Sequence, residues 1–179
     1  MLIKREDCCL LIIDVQAKLL PATYAPDRVA ACCRDLLEIA GKAGVPVLVS
    51  EHYPQGIGHT ADTLLPLIAP DSIMGKIYFS CFAERSTRRR IREMGKGTLV
   101  LAGMEAHVCL GQTALDLLTA GYRVIVSSDG TASRYRLDHE TALHRLKQEG
   151  AQIAPTGEIV EALRTATVGA GQPDLERMQ

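Results

Sequence analysis

Residues 98–128 read TLVLAGMEAHVCLGQTALDLLTAGYRVIVSS. The stretch opens on an apolar run, Thr98 to Gly103. Leu110, Ala114, Leu117 and Leu118 then recur at helical spacing until Gly121, and a second apolar run begins at Tyr122. Continuous rather than alternating hydrophobicity marks strands covered on both faces, as in a parallel sheet. The unit is therefore strand, helix, strand.

The same rhythm extends in both directions. Apolar runs recur as CCLLII before Asp14, VPVLVS from Val45, IMG from Ile73 and AQIAP from Ala151. Val29, Cys32, Cys33, Leu36, Leu37 and Ala40 follow the i, i+3, i+4, i+7 rule, with Pro26-Asp27 as a start and Gly44 as a stop. That spacing places both Cys32 and Cys33 in the core. Ala142, Leu143 and Leu146 form another stripe ended by Gly150, and His139 and His144 on this helix are expected at the surface. Alternating strands and helices predict an α/β fold: a three-layer αβα, doubly wound, mostly parallel six-stranded sheet of order 3-2-1-4-5-6. A single domain is expected over residues 1–167. The glycine- and proline-bearing tail 168–179 has no apolar period and is expected to be loose or docked on a partner subunit. Residues 50–61, SEHYPQGIGHTA, read as an ordered loop beyond the second strand.

Composition narrows the function classes. The 179 residues carry 20 Lys plus Arg against 21 Asp plus Glu, so no broad basic field is present for nucleic acid or an anionic membrane. The partners expected are a small-molecule substrate and copies of the same chain. ERSTRRRIRE sets five arginines against two glutamates and reads as a solvated helix face, with an anion or partner site as the alternative. No stretch reaches the roughly 18 apolar residues of a membrane span, and the six-residue run Cys8–Ile13 is too short for a signal-peptide core. Six cysteines, in two adjacent pairs plus Cys81 and Cys109, match neither metal knuckles nor a secreted scaffold. Reduced thiols and a cytoplasmic location follow as expectations.

In an open parallel sheet, ligands bind beyond the carboxyl ends of the strands. Three residues stand there: Asp14 after the first run, Lys76 after Ile73-Met74-Gly75, and Cys109 at the entrance to the helix of Leu110–Leu118. A thiol at a helix N-terminus meets free N–H groups and the positive end of the macrodipole, which favour thiolate. Lys76 would favour it further, and Asp14 could take the thiol proton and pass it to a leaving group. Singly, each has a plainer reading: a buried apolar cysteine, a turn-capping aspartate, a surface lysine. His107 is the competing base, but residues i and i+2 of a helix do not face each other, so it reads as pocket-lining or capping. His52 and His59 flank the glycine loop as structural or substrate-contacting residues. Glu51 and His52 lack the one-residue gap with which a carboxylate and an imidazole grip one ion, so no metal and no cofactor are expected.

These residues carry a resemblance. LLIIDVQ with Asp14, Lys76 before YFSCF, and LAGMEAHVCLGQTALDLLTAGYRVIVSSDGTAS around Cys109 resemble, in order, the isochorismatase-like cysteine hydrolases over roughly residues 8–165. The loop EHYPQGIG is similar to the YcaC-like and eukaryotic isochorismatase-domain-containing branch. Nicotinamidases of the same group carry an Asp-x-His pair for zinc where this chain has Ser50-Glu51-His52-Tyr53. The resemblance implies an Asp14, Lys76, Cys109 triad. It also implies a non-proline cis peptide at Met104-Glu105, with the Glu105 and Cys109 N–H groups as an oxyanion hole, and a pocket including Gln16, His52, Tyr53 and His107. The expected activity is metal-independent hydrolysis of a C–N bond in a small amide or carbamoyl compound through a thioester, by a homo-oligomer. The alternative is a non-catalytic metabolite-binding or scaffold protein on the same fold.

Overall fold

In the computed structural model, which describes residues 3–165, the strands β1 (Cys8–Ile13), β2 (Val47–His52), β3 (Ile73–Lys76), β4 (Thr98–Met104), β5 (Arg123–Ala132) and β6 (Gln152–Ala154) form one sheet. Their order is β3-β2-β1-β4-β5-β6, and every neighbouring pair is parallel. The sheet is thus wholly rather than mostly parallel. The expected tail 168–179 and the boundary at 167 lie outside the described residues.

β1 shows how six apolar residues make a three-layer domain. Side chains alternate across a strand. Cys8, Leu10 and Ile12 therefore pack on one face against Val29, Cys33, Leu36 and Ala40 of α1 (Pro26–Ala43) and Ile159 and Leu163 of α6 (Thr156–Thr165). Cys9, Leu11 and Ile13 point the other way. They meet Ile91 of α3 (Arg85–Glu93), Leu110, Ala114 and Leu117 of α4 (Cys109–Thr119), and Leu146 of α5 (Arg136–Gln148). Burial on both faces is why the run does not alternate in polarity. Removing one such leucine side chain costs about 2–5 kcal/mol.

The predicted starts and stops of α1 hold: Pro26 is its first residue, and Gly44 ends it with φ 67°, its N–H donating to the Ala40 carbonyl. Three expectations need correction. Cys32 is only partly buried, because α1 turns one side to solvent and only Cys33 of the pair faces the sheet. His139 is buried rather than exposed. It lies three residues before Ala142 and seven before Leu146, on the same face of α5, and its ring nitrogens meet Tyr24 Oη at 2.8 Å and Thr131 Oγ1 at 2.9 Å. Residues 50–61 are not all loop: β2 runs to His52, and α2 (Pro54–Ile57) follows as a single turn. Among the described residues, no helix is long and apolar enough to cross a membrane.

Candidate active site

Strand order reverses beside β1, whose neighbours are β2 and β4, and this opens a crevice beyond the strands' carboxyl ends. Register decides what meets there. Ile13 pairs with Ser50 on one side and Gly103 on the other, while His52 lies opposite Lys76. Asp14, the next residue after β1, turns out of the sheet with φ 52°. β4 approaches β1 so closely that a Cβ on Gly103, whose φ is 116°, would run into the Ile13 carbonyl. The chain then passes through the cis peptide Met104-Glu105 into α4, at whose first position stands Cys109.

The structure brings Asp14, Lys76 and Cys109 together. Lys76 Nζ donates to Asp14 Oδ2 at 2.7 Å and to the Tyr78 carbonyl at 3.2 Å. Ser50 Oγ donates to Asp14 Oδ1 at 2.7 Å. All three of these side chains are buried, and Cys109 is 5% exposed. Ligating atoms of Asp14, His52 and Cys109 lie within 4.8 Å of one another.

The electrostatics correct the expectation of a resting thiolate. Burial, then the Asp14 carboxylate, push the Cys109 thiol upward, and Lys76 only partly opposes them. Cys109 rests as a thiol with the Asp14 carboxylate beside it. Burial also works against the Lys76 ammonium, but Asp14, Cys81 and Cys109 more than offset it and Lys76 titrates above its ordinary value. Burial, then Lys76, hold His52 below the usual histidine range, so its ring is neutral at pH 7. A neutral sulfur, a paired carboxylate and a fixed ammonium are a set for proton transfer coupled to nucleophilic attack.

The other expected residues fall at different distances from this centre. Gln16 is fully buried, and its amide ties the end of β2 to the glycine loop: Nε2 donates to the His52 and Gly58 carbonyls, and Oε1 accepts from His52 N–H at 2.8 Å. Tyr53, with φ 40°, precedes α2 and with Lys76 lines a shallow surface cavity of about 320 Å³. His107 points away: its Nδ1 lies 2.9 Å from Ser133 Oγ, and it borders a separate cavity of about 270 Å³ with Gln112, Asp138 and Arg145. His59 and Glu51 pair with each other at 3.0 Å. Glu105 uses its carboxylate to accept from Arg134 N–H at 2.8 Å.

Ser50 and Thr113 were not singled out in the sequence as site residues. Thr113 Oγ1 donates to the Cys109 carbonyl at 2.7 Å and accepts from Cys81 N–H at 2.9 Å, fastening α4 to the segment after β3. The i, i+4 spacing from Cys109 was the available signal for Thr113; Ser50 had none, since only its pairing with Ile13 brings it to Asp14.

Asp14, His52 and Cys109 are also the one group among the described residues with metal-ligating geometry. A divalent cation between them would face the Lys76 ammonium, 2.7 Å from the carboxylate it would need.

The isochorismatase domain profile matches residues 8–158. The chain is 33% identical over 153 residues to isochorismatase domain-containing protein 1 of Salmo salar, covering 86% of this chain and 52% of the relative, so it spans about half that protein's length. A structure described as MAR1 ribonuclease from Caenorhabditis elegans superposes with TM-score 0.85 at 30% identity, over 91% of this chain and 84% of that one. The Escherichia coli YcaC gene product, described as an octameric hydrolase of unknown specificity, shares the fold with TM-score 0.87 at 21% identity, over 92% and 82%. With the profile spanning β1 to the start of α6, the chain belongs to the isochorismatase-domain family.

Proposed function

We propose that this protein is a metal-independent cysteine hydrolase that cleaves a C–N bond of a small amide or carbamoyl compound. One observation carries the reading: the buried Asp14–Lys76 ion pair stands within reach of a protonated thiol at the N-terminus of α4. Asp14 takes the Cys109 proton as Sγ bonds to the substrate carbonyl carbon. The oxyanion faces the Glu105 and Cys109 N–H groups, the second being among the first N–H groups of α4, which lack intrahelical partners. The C–N bond breaks, the amine leaves with the proton that Asp14 held, and a thioester remains on Cys109. Water, giving a proton to Asp14, attacks that thioester. The acid departs, and the proton returns to sulfur. Lys76 holds Asp14 in place throughout and balances its charge.

Homo-oligomerisation belongs to the same proposal. Ile77, Tyr78 and Phe79, just beyond β3, are all more than half exposed, a contiguous apolar surface suited to a second copy. All six cysteines are free, in keeping with a reducing cytoplasm.

The test is intact-mass spectrometry and product assay against a library of small amides and carbamoyl compounds, with and without EDTA. An acyl adduct on Cys109, turnover insensitive to EDTA, and loss of both in Cys109→Ala are expected. Full turnover by Cys109→Ala refutes the proposal, and a bound but unaltered metabolite supports the scaffold alternative. A labelled RNA oligonucleotide should emerge uncut.

A further inference from the structure

His52 Nδ1 is shielded from solvent and has no hydrogen-bond partner. A buried polar atom in that condition calls for a reason. Here it sits in a ring whose nitrogen lies within 4.8 Å of both the attacking sulfur and its base. The ring is neutral at pH 7, so one of its two nitrogens carries the proton and the other presents a lone pair. The ring is held by its surroundings: the backbone N–H and carbonyl of His52 are both clamped by Gln16, and Phe79 packs on the imidazole with centroids 5.5 Å apart. The charged groups facing the site are Asp14 and Lys76, and they are already bonded to each other. Asp14 Oδ1 takes Ser50. Among the described residues no donor engages His52 Nδ1, and the ring stands beside the nucleophile as an acceptor.

The geometry points to His52 as a specificity-determining residue that accepts a hydrogen bond from an N–H of the substrate's amide nitrogen, so that the site selects unsubstituted or singly substituted carboxamides over tertiary amides and esters. This rests on the cysteine-hydrolase reading and adds the substrate class. A site with an acceptor aimed at a substrate N–H rejects an analogue that lacks it, because the acceptor then stays buried and unpaired.

Three small electrophiles that alkylate a thiol without turnover test this: acrylamide, N,N-dimethylacrylamide and methyl acrylate. Rates of adduct formation at Cys109 are read by peptide mass spectrometry and normalised to each probe's rate with glutathione. The wild-type chain should prefer acrylamide over both analogues by roughly tenfold. His52→Phe should erase the preference, while His52→Gln, whose side-chain oxygen is again an acceptor, should restore most of it. Thermal melts of both variants establish that they are folded. An equal preference in His52→Phe and wild type overturns the assignment and leaves the hydrolase reading standing. A wild-type Cys109 that none of the three probes labels, while Cys32 in the same sample is labelled, overturns both.

Discussion

Asp14→Asn separates the two roles proposed for the Asp14 carboxylate, restraint on the Cys109 thiol and acceptance of its proton. The substitution keeps the size of the side chain and one oxygen but removes its charge. A ligating oxygen of Asp14 and Cys109 Sγ lie within 4.8 Å. At an effective dielectric of about 20, two like charges at that separation repel by about 3.5 kcal/mol, or about 2.5 pH units of thiol acidity. Lys76, freed from its 2.7 Å pair, becomes the counter-charge of the thiolate and pulls in the same direction. The midpoint for iodoacetamide alkylation of Cys109, followed from pH 5 to 11 by peptide mass spectrometry, should therefore fall by about 2.5 pH units or more. Amide turnover should move the opposite way, dropping by about a hundredfold or more, because an asparagine cannot take the thiol proton. A thiol made more reactive in an enzyme made inactive is the signature expected. An unmoved or upward alkylation midpoint, or retained turnover, would refute the assignment of Asp14 as both the restraint on Cys109 and its base. Because an unpaired Lys76 also weakens the fold, the labelling is run well below the melting temperature measured for the variant.

Three further outcomes follow from the same structure. Lys76→Met leaves Asp14 buried without its counter-ion and should lower unfolding free energy in urea by about 3–5 kcal/mol; a loss under 1 kcal/mol would mean the pair is not buried as described. Gly103→Ala places a methyl group against the Ile13 backbone at a φ of 116°, so it should destabilise by at least about 1–3 kcal/mol and reduce turnover by shifting Asp14 relative to α4. Burial raises Cys8 and Cys9 to about 12 and Cys81 to about 11 from an ordinary 9.0. Below pH 9 these thiols are protonated in both folded and unfolded chains, and their contribution is fully present. Above pH 9 the unfolded chain ionises first, so stability should fall by up to about 1.4 kcal/mol per thiol per pH unit until the folded values are reached; urea unfolding at pH 8, 9, 10 and 11 measures it, and a flat profile contradicts the burial.

Patterns with a short range read correctly from the chain. The apolar runs at 8–13 and 98–103, Pro26 and Gly44 at the ends of α1, and Cys109 at the mouth of α4 each depend on neighbours within one or two turns, so local chemistry sufficed. Where a residue's environment is made by a distant segment, the reading slipped. His139 looked like a surface residue until Tyr24, 115 residues away, and Thr131 supplied partners for both ring nitrogens. Gln16, expected in the pocket, also ties the end of β2 through bonds to a segment 36 residues away that its own neighbours do not reveal.

The linear chain by itself determined the layers, the parallel strands and the identities of an acid, an amine and a sulfur at strand ends, because hydrophobic period and helix punctuation are properties of adjacent residues. Only the tertiary structure decided the protonation of Cys109, the pairing of Lys76 with Asp14, the arrival of Ser50 and the isolation of His52 Nδ1. Burial and Coulomb forces depend on distance through space, and segments as far apart as residues 14 and 109 acquire such a distance only when the sheet is assembled.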